Sequence, residues 1–170
     1  MIFSLFVSCK DDTPAELYAG CCDTAPQQLT IGAESVSIPN AFSPNGDGIN
    51  DFFIPFATAG IALIREYQVL DRNKQEIVKY VNFQPNDPSL SWNGSHTGGS
   101  IYEGLFYYKV IAATSSGESK TIEGSACSIV CKPDGSLLPV SNPDGCGFLD
   151  QFTNSGQYDP DIITADQKCF

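Results

Sequence analysis

The chain has 170 residues, of which 42% are apolar, and this is enough for one domain with a packed core and flanking segments. Acidic residues outnumber basic residues by 20 to 9, so the net charge of −11 argues against a nucleic-acid partner, which requires Lys and Arg against its phosphates. Charged residues make up only 17%, which is typical of a folded chain, and the acidity fits a secreted or surface protein.

The chain begins with an apolar segment, residues 1–9, that ends in Ser8 and Cys9. This segment resembles the end of a bacterial lipoprotein signal, with residues 5–9 in the place of the lipobox. It lacks a basic start and is shorter than a usual signal peptide, which a translation start further upstream would explain. The resemblance implies that Cys9 carries acyl groups and anchors the chain to the outer membrane. The alternative is a short buried strand.

The next segment, residues 10–27, is predicted to be a polar tether that carries the adjacent pair Cys21 and Cys22. Its first residues, Lys10-Asp11-Asp12, resemble the signal that places lipoproteins on the outer face of the outer membrane in Bacteroidota. Together with the lipobox, they predict a surface-exposed, lipid-anchored protein, or otherwise a secreted one.

Residues 28–131 show short apolar runs separated by turn residues every 8–12 positions, and no long stretch has a 3.6-residue period. This pattern is typical of an all-β fold, and we expect an Ig-like antiparallel β-sandwich of about seven strands. The predicted strands are Gln28–Ile31, Ser35–Ala41, Phe52–Phe56, Ile64–Asp71, Glu76–Val81, Gly104–Thr114 and Ser119–Cys131. Residues 132–170 then form a Cys-containing C-terminal extension.

Alternation is clearest in the strand Gly104–Thr114, where Phe106, Tyr108, Val110 and Ala112 share one face. We expect this face to pack with Trp92 between the two sheets, because aromatic side chains bury large apolar areas. Turns are predicted at residues 72–74, 92–94 and 115–117.

The run Asn-Ala-Phe-Ser-Pro-Asn-Gly-Asp-Gly-Ile-Asn-Asp at residues 40–51 is rich in residues that form tight turns. Its side-chain oxygens could bind calcium, which prefers carboxylate and amide oxygens. The candidate ligands are Asn45, Asp47, Asn50 and Asp51. The alternative, which we favour, is a turn held by Asn and Asp hydrogen bonds with Gly46 and Gly48 at positive φ. No other cofactor is predicted.

Residues 40–51 also resemble the opening of the gliding-motility-associated C-terminal domain, which serves as a type B sorting domain in type IX secretion. Three further stretches match that family in its usual order: residues 69–73, 91–94 and 104–108. The chain departs from the family at Tyr102-Glu103-Gly104, where Pro-x-Gly is usual, and in the length of residues 132–170. Because an apparatus that reads a C-terminal signal meets this extension first, we favour a domain kept for its fold over a sorting signal.

The cysteines other than Cys9 are even in number and are predicted to form disulfides. They are Cys21, Cys22, Cys127, Cys131, Cys146 and Cys169. A vicinal bridge is strained, and residues four apart on a strand lie about 13 Å apart, so we expect Cys21 and Cys22 to pair with Cys127 and Cys131. Cys146 and Cys169 then pair with each other. A zinc site is the less favoured alternative, since the spacings are not those of zinc knuckles.

Catalysis is not predicted, because the single histidine, His96, lies in a glycine-rich loop and no nucleophile or metal motif accompanies it. We expect a non-enzymatic surface lipoprotein with a structural, adhesive or gliding-associated role that binds a surface protein or a glycan through its loops. One alternative is a type IX secretion substrate whose domain is a sorting module. Another is a small carbohydrate-binding module that uses Tyr102 or Tyr158.

Overall fold

The computed structural model of this chain describes residues 13–132 and 134–170, so Cys9 and residues 10–12 lie outside the described part. One short helix, α1 (Pro14–Leu17), precedes a set of strands that ends at residue 128. The strands are β1 (Gln27–Ile31), β2 (Glu34–Ile38), β3 (Ala41–Phe42), β4 (Phe56–Ala57), β5 (Ile61–Leu70), β6 (Glu76–Phe83), β7 (Gly104–Thr114) and β8 (Ser119–Ser128). Short 3-10 turns occupy Pro88–Leu90, Thr97–Gly99, Pro143–Gly145, Leu149–Gln151 and Ala165–Cys169.

Two sheets form the body of the fold. One contains three strands in the order β1-β2-β4, and the other contains five in the order β3-β8-β7-β5-β6. All neighbouring strands are antiparallel except β3 and β8, which pair in parallel through Ala41 with Cys127 and Phe42 with Ser128. The predicted all-β class is confirmed, and two sheets around a shared core fit an Ig-like sandwich.

The strand predictions succeed where side chains alternate and fail where proline intervenes. Strand β7 has the predicted bounds, with alternate residues buried along it. The predicted strand Ser35–Ala41 is split into β2 and β3 at Pro39, which has no N–H to donate to a ladder. The prediction of a strand at Phe52–Phe56 was wrong, since Pro55 interrupts it and only β4 and an isolated bridge between Phe53 and Trp92 form. The last predicted strand, Ser119–Cys131, ends earlier, at Ser128.

The inter-sheet core is dominated by aromatic rings. Phe106 lies at its centre, with its ring centroid 4.8 Å from that of Phe53 and 4.9 Å from that of Trp92, both edge-on. The hydroxyl of the fully buried Tyr67 donates a hydrogen bond of 2.6 Å to the carbonyl of Phe53. Trp92 and the buried face of β7 therefore pack as the sequence predicts.

A second core forms outside the sandwich, where the N-terminal segment and the C-terminal extension meet the end of β8. Its buried members are Tyr18, Cys21, Cys22, Ala41, Cys127, Ile129, Leu138, Val140, Cys146, Phe148 and Cys169. The segment predicted to be a polar tether is thus anchored from Leu17 onward, because Leu17, Tyr18 and both cysteines pack against this core, whereas residues 13–16 are exposed.

No helix in the described part of the chain is long and apolar enough to cross a membrane.

Candidate functional site

The run at residues 40–51 contains β3 and a compact loop that follows it, and we call the whole run the motif loop. Its two ends are joined because the amide of Ser43 donates to the carbonyl of Asn50 over 2.8 Å. Gly46 and Gly48 have φ values of 81° and 88°, and a Cβ added at either would meet no atom within 4 Å. Backbone conformation, not lack of space, therefore requires glycine at both positions, as predicted.

Asp51 holds the tip of the motif loop. One of its carboxylate oxygens accepts the amide of Gly46 over 2.6 Å, and the other accepts the amide of Gly48 over 2.7 Å. Asp47 accepts the amide of Ile49 over 2.9 Å, and Asn45 in turn accepts the amide of Asp47 over 2.9 Å. These oxygens close turns of the backbone, which is the alternative favoured over calcium from the sequence.

Asn50, the remaining candidate ligand, joins the motif loop to the C-terminal extension. Its side-chain amide donates to Thr164 Oγ1 over 3.1 Å and to Asp166 Oδ2 over 2.8 Å. Its side-chain oxygen accepts the amide of Asp150 over 3.1 Å. The four candidate ligands therefore lie in one loop, but Asn50 is directed to a different set of partners from the other three.

Asn40, at the start of the motif loop, is 2% exposed and connects three parts of the chain. Its side-chain amide donates to the carbonyls of Thr24 and Gly145 over 2.5 and 2.8 Å, and its oxygen accepts the amide of Gly147 over 2.6 Å. This role could not be predicted from the sequence, because both partner segments lie outside the predicted domain. Buried polar contacts of this kind fix one arrangement of the chain.

Asp166 is a buried carboxyl group beside the motif loop. It is fully buried, and among the described residues its Oδ1 has no hydrogen-bond partner. Burial raises its pKa, the polar side chains of Asn50 and Ser43 oppose that shift, and the negative charges of Asp47 and Asp150 add to it. Sequence reasoning missed this residue, since it stands in an irregular segment of mixed polarity.

All six cysteines of the described residues form disulfides, but only one predicted pairing is present. Cys21 pairs with Cys127, with Cα atoms 5.6 Å apart. The other pairings were wrong, because Cys22 pairs with Cys146 at 4.8 Å and Cys131 pairs with Cys169 at 5.1 Å. The extension folds back onto the sandwich and brings both of its cysteines to partners outside itself.

One group of potential metal ligands also lies here. The sulfurs of Cys131 and Cys169 and the carboxylate of Asp166 lie within 4.8 Å of one another. The two sulfurs are joined in a disulfide, whereas a cysteine metal ligand is a thiolate. The geometry therefore describes a disulfide with a neighbouring acid.

The remaining candidate residues have structural contacts. The hydroxyl of Tyr102 donates to the carbonyl of Leu105 over 2.7 Å and accepts the amide of Arg72 over 3.0 Å. The Tyr102 ring packs against His96, with centroids 5.5 Å apart. Tyr158 is half-buried, and its hydroxyl lies 3.4 Å from the carbonyl of Cys146. These contacts give both tyrosines a structural role. Stacking against a glycan would instead require an open ring face.

The fold and the motif loop define a disulfide-bonded β-sandwich domain, and comparison with known proteins gives the family. A family profile described as the CHU_C type IX secretion signal domain matches residues 36–126, just over half of the chain. The chain therefore belongs to this family, and the resemblance noted from the motif is confirmed. No curated protein matches the chain. Membership gives the chain a type IX-related sorting or cell-surface role.

Proposed function

We propose that a type IX system carries this chain to the cell surface and that the matched domain acts as its sorting module. The observation that supports this most is the position of the extension. The sequence alone favoured a domain kept for its fold, because a trailing extension would stand between the signal and its reader. In the structure the extension packs into the second core and is tied by Cys22–Cys146 and Cys131–Cys169.

The motif loop stays accessible under this arrangement. Residues 45–49 are exposed, although Asn40 and Asn50 at its ends are held by the extension. A rigid, exposed loop on a folded body is a suitable element for recognition, since little conformational entropy is lost on binding. The extension therefore holds the ends of the motif loop and leaves residues 45–49 exposed.

A second candidate function is a lipid-anchored surface protein with a structural or adhesive role and no enzymatic activity. Its support is the lipobox-like segment and the cysteine pairing. The six described cysteines pair with one another, so none of them remains to pair with Cys9. In this proposal Cys9 is acylated, and protein or glycan partners bind the loops of the sandwich.

One experiment separates the two proposals in the full chain. An epitope inserted between Ser116 and Gly117, in the exposed turn between β7 and β8, leaves both ends unchanged. The tagged chain and its Cys9→Ala variant are produced in a type IX-competent Bacteroidota host and in the same host without the translocon. Antibody labelling of intact cells measures the surface fraction.

The outcomes are distinct. Sorting by the domain predicts that surface labelling is lost without the translocon and that the Cys9→Ala chain is still exported. Lipoprotein transport predicts that labelling survives without the translocon and is lost in the Cys9→Ala chain. Incorporation of a palmitate analogue, present in the parent chain and absent from the variant, tests acylation directly.

A further inference from the structure

Three large apolar side chains are exposed around the motif loop. Ile49, Phe52 and Ile101 are 39%, 46% and 41% exposed. Phe52 and Asp51 line two adjoining hollows, one shared with Pro44 and Ile101 and the other with Ile49 and Leu149. The three side chains therefore belong to one continuous surface, which we call the motif patch. The other exposed large apolar side chains, Val81, Leu137 and Ile163, line neither hollow.

The motif patch stands on a rigid support. The side-chain oxygens of Asp47 and Asp51 accept amides of the loop itself, and Ile49 donates its amide to Asp47. Phe53, next to Phe52, is fully buried and its amide donates to the carbonyl of Trp92 over 2.8 Å. The side-chain oxygens of Asp47 and Asp51 are thus used by the loop's own backbone while Ile49 and Phe52 stay exposed, and ordering the loop costs a partner little. Apolar surface held in this way is typical of an interaction site.

The charges around the motif patch indicate the chemistry of the partner. Asp51 and Asp150 line the two hollows, and no Lys or Arg of the described residues does so. Lys132 and Lys168 line a separate hollow with Asn45 and Asp47. An apolar surface with an acidic edge complements an apolar centre with a basic edge.

We propose that the motif patch is the docking surface for a protein of the export apparatus whose contact region has an apolar centre flanked by Lys or Arg. This inference rests on the proposed sorting function and assigns its recognition surface. Phe52 provides the central contact, Ile49 and Ile101 extend it, and Asp150 meets the basic edge. The motif residues with buried or internally bonded side chains act by holding this surface in shape.

The test uses the epitope-tagged full chain in the translocon-competent host. Phe52→Asp and Ile49→Asp place a charge in the patch, and Asp150→Lys reverses its edge. The matched controls are Val81→Asp, at an exposed apolar side chain on β6, and Glu123→Lys, at an exposed acid on β8. We expect surface labelling to fall about tenfold or more for Phe52→Asp and about threefold for Asp150→Lys, with controls within about twofold of the parent chain.

Two outcomes overturn the inference in different ways. If the parent chain is labelled equally without the translocon, the proposed sorting function fails and the docking surface fails with it. If the parent chain requires the translocon but Phe52→Asp is exported as well as Val81→Asp, the docking surface alone is wrong.

A second measurement distinguishes a docking defect from loss of export caused by misfolding of the variants. The photocrosslinker p-benzoylphenylalanine, placed at position 52, keeps an aromatic ring at the patch. We expect an adduct in translocon-competent cells whose linked peptide comes from a translocon component and has Lys or Arg next to the crosslinked residue. A crosslink to a second copy of the chain, or to its own residues 1–12, would contradict the proposal.

Discussion

The inter-sheet core and the second core stabilise their parts of the chain by different means. Large aromatic side chains from segments distant in sequence fill the first, including Phe42, Phe53, Trp92 and Phe106. The second core is smaller and contains five of the six disulfide-bonded cysteines as buried members, with Cys131 packed against it. Its N-terminal and extension segments lack long strands, so covalent bonds and buried hydrogen bonds supply what sheet ladders supply elsewhere. Strands with alternating apolar side chains and irregular segments with disulfide bonds are thus two alternative ways to hold part of a chain in place.

The largest expected effect tests the inter-sheet core. Phe106→Ala removes a fully buried ring and is expected to lower the free energy of unfolding by about 3–5 kcal/mol, measured by urea denaturation. The matched control is Phe52→Ala, where the ring is 46% exposed, and its loss should be well below half of that. Equal losses would mean that the core does not have the described packing.

The next effect tests whether disulfides stabilise the second core specifically. The double variant Cys22→Ser/Cys146→Ser opens a link with a sequence separation of 124 and should cost about 2–4 kcal/mol. Hydrogen exchange should show lost protection in residues 138–170 and retained protection in β5 and β7. Loss of protection in β7 equal to that in the extension would contradict a separate second core.

A smaller effect is expected at Asn40, where the two cores meet. Asn40→Ala leaves buried backbone groups of Thr24, Gly145 and Gly147 without their partner, at a cost of about 1–3 kcal/mol. Asn45→Ala is the matched control in the exposed part of the same loop, and we expect about 0.5–1 kcal/mol there. Comparable losses of stability for Asn40→Ala and Asn45→Ala in thermal denaturation would show that Asn40 does not join the two cores.

The pH dependence of stability tests the polar contact between the motif loop and the extension. Because the pKa of Asp166 is raised in the folded chain, its contribution to stability is complete below its ordinary value of 3.8 and is lost as pH rises through the folded-state pKa. Asp166→Asn stays neutral and keeps an acceptor for Asn50. The melting temperature of Asp166→Asn relative to the parent chain should therefore increase between about pH 4 and neutrality. A constant difference across this range would contradict the raised pKa.

The smallest effect concerns calcium. Since both oxygens of Asp51 and one of Asp47 already accept loop amides, we expect calcium to raise the melting temperature by less than about 1 °C over EDTA. A saturable shift that disappears in Asp47→Asn would instead establish a calcium site in the motif loop.

Much of the sandwich could be predicted from the sequence, and little of the second core could. Strand β7 alternates over its whole length, and the aromatic landmarks Trp92 and Phe106 identify the inter-sheet core. Turn chemistry likewise gave the positive φ of Gly46 and Gly48. Extension residues such as Phe148 and Asp166 follow no period, so their partners depend on how the whole chain folds. For the same reason only the Cys21–Cys127 pairing was among those expected.

The Cys22–Cys146 bond closes all eight described strands of the sandwich into a covalent ring with a sequence separation of 124. A ring of this kind cannot be drawn out into a single extended strand while the bond is intact. Passage across a membrane after oxidation therefore requires a conduit wide enough for at least two segments of chain side by side, and a wider one if the sandwich and its extension stay folded. The timing of oxidation relative to export then sets the size of opening that the chain requires.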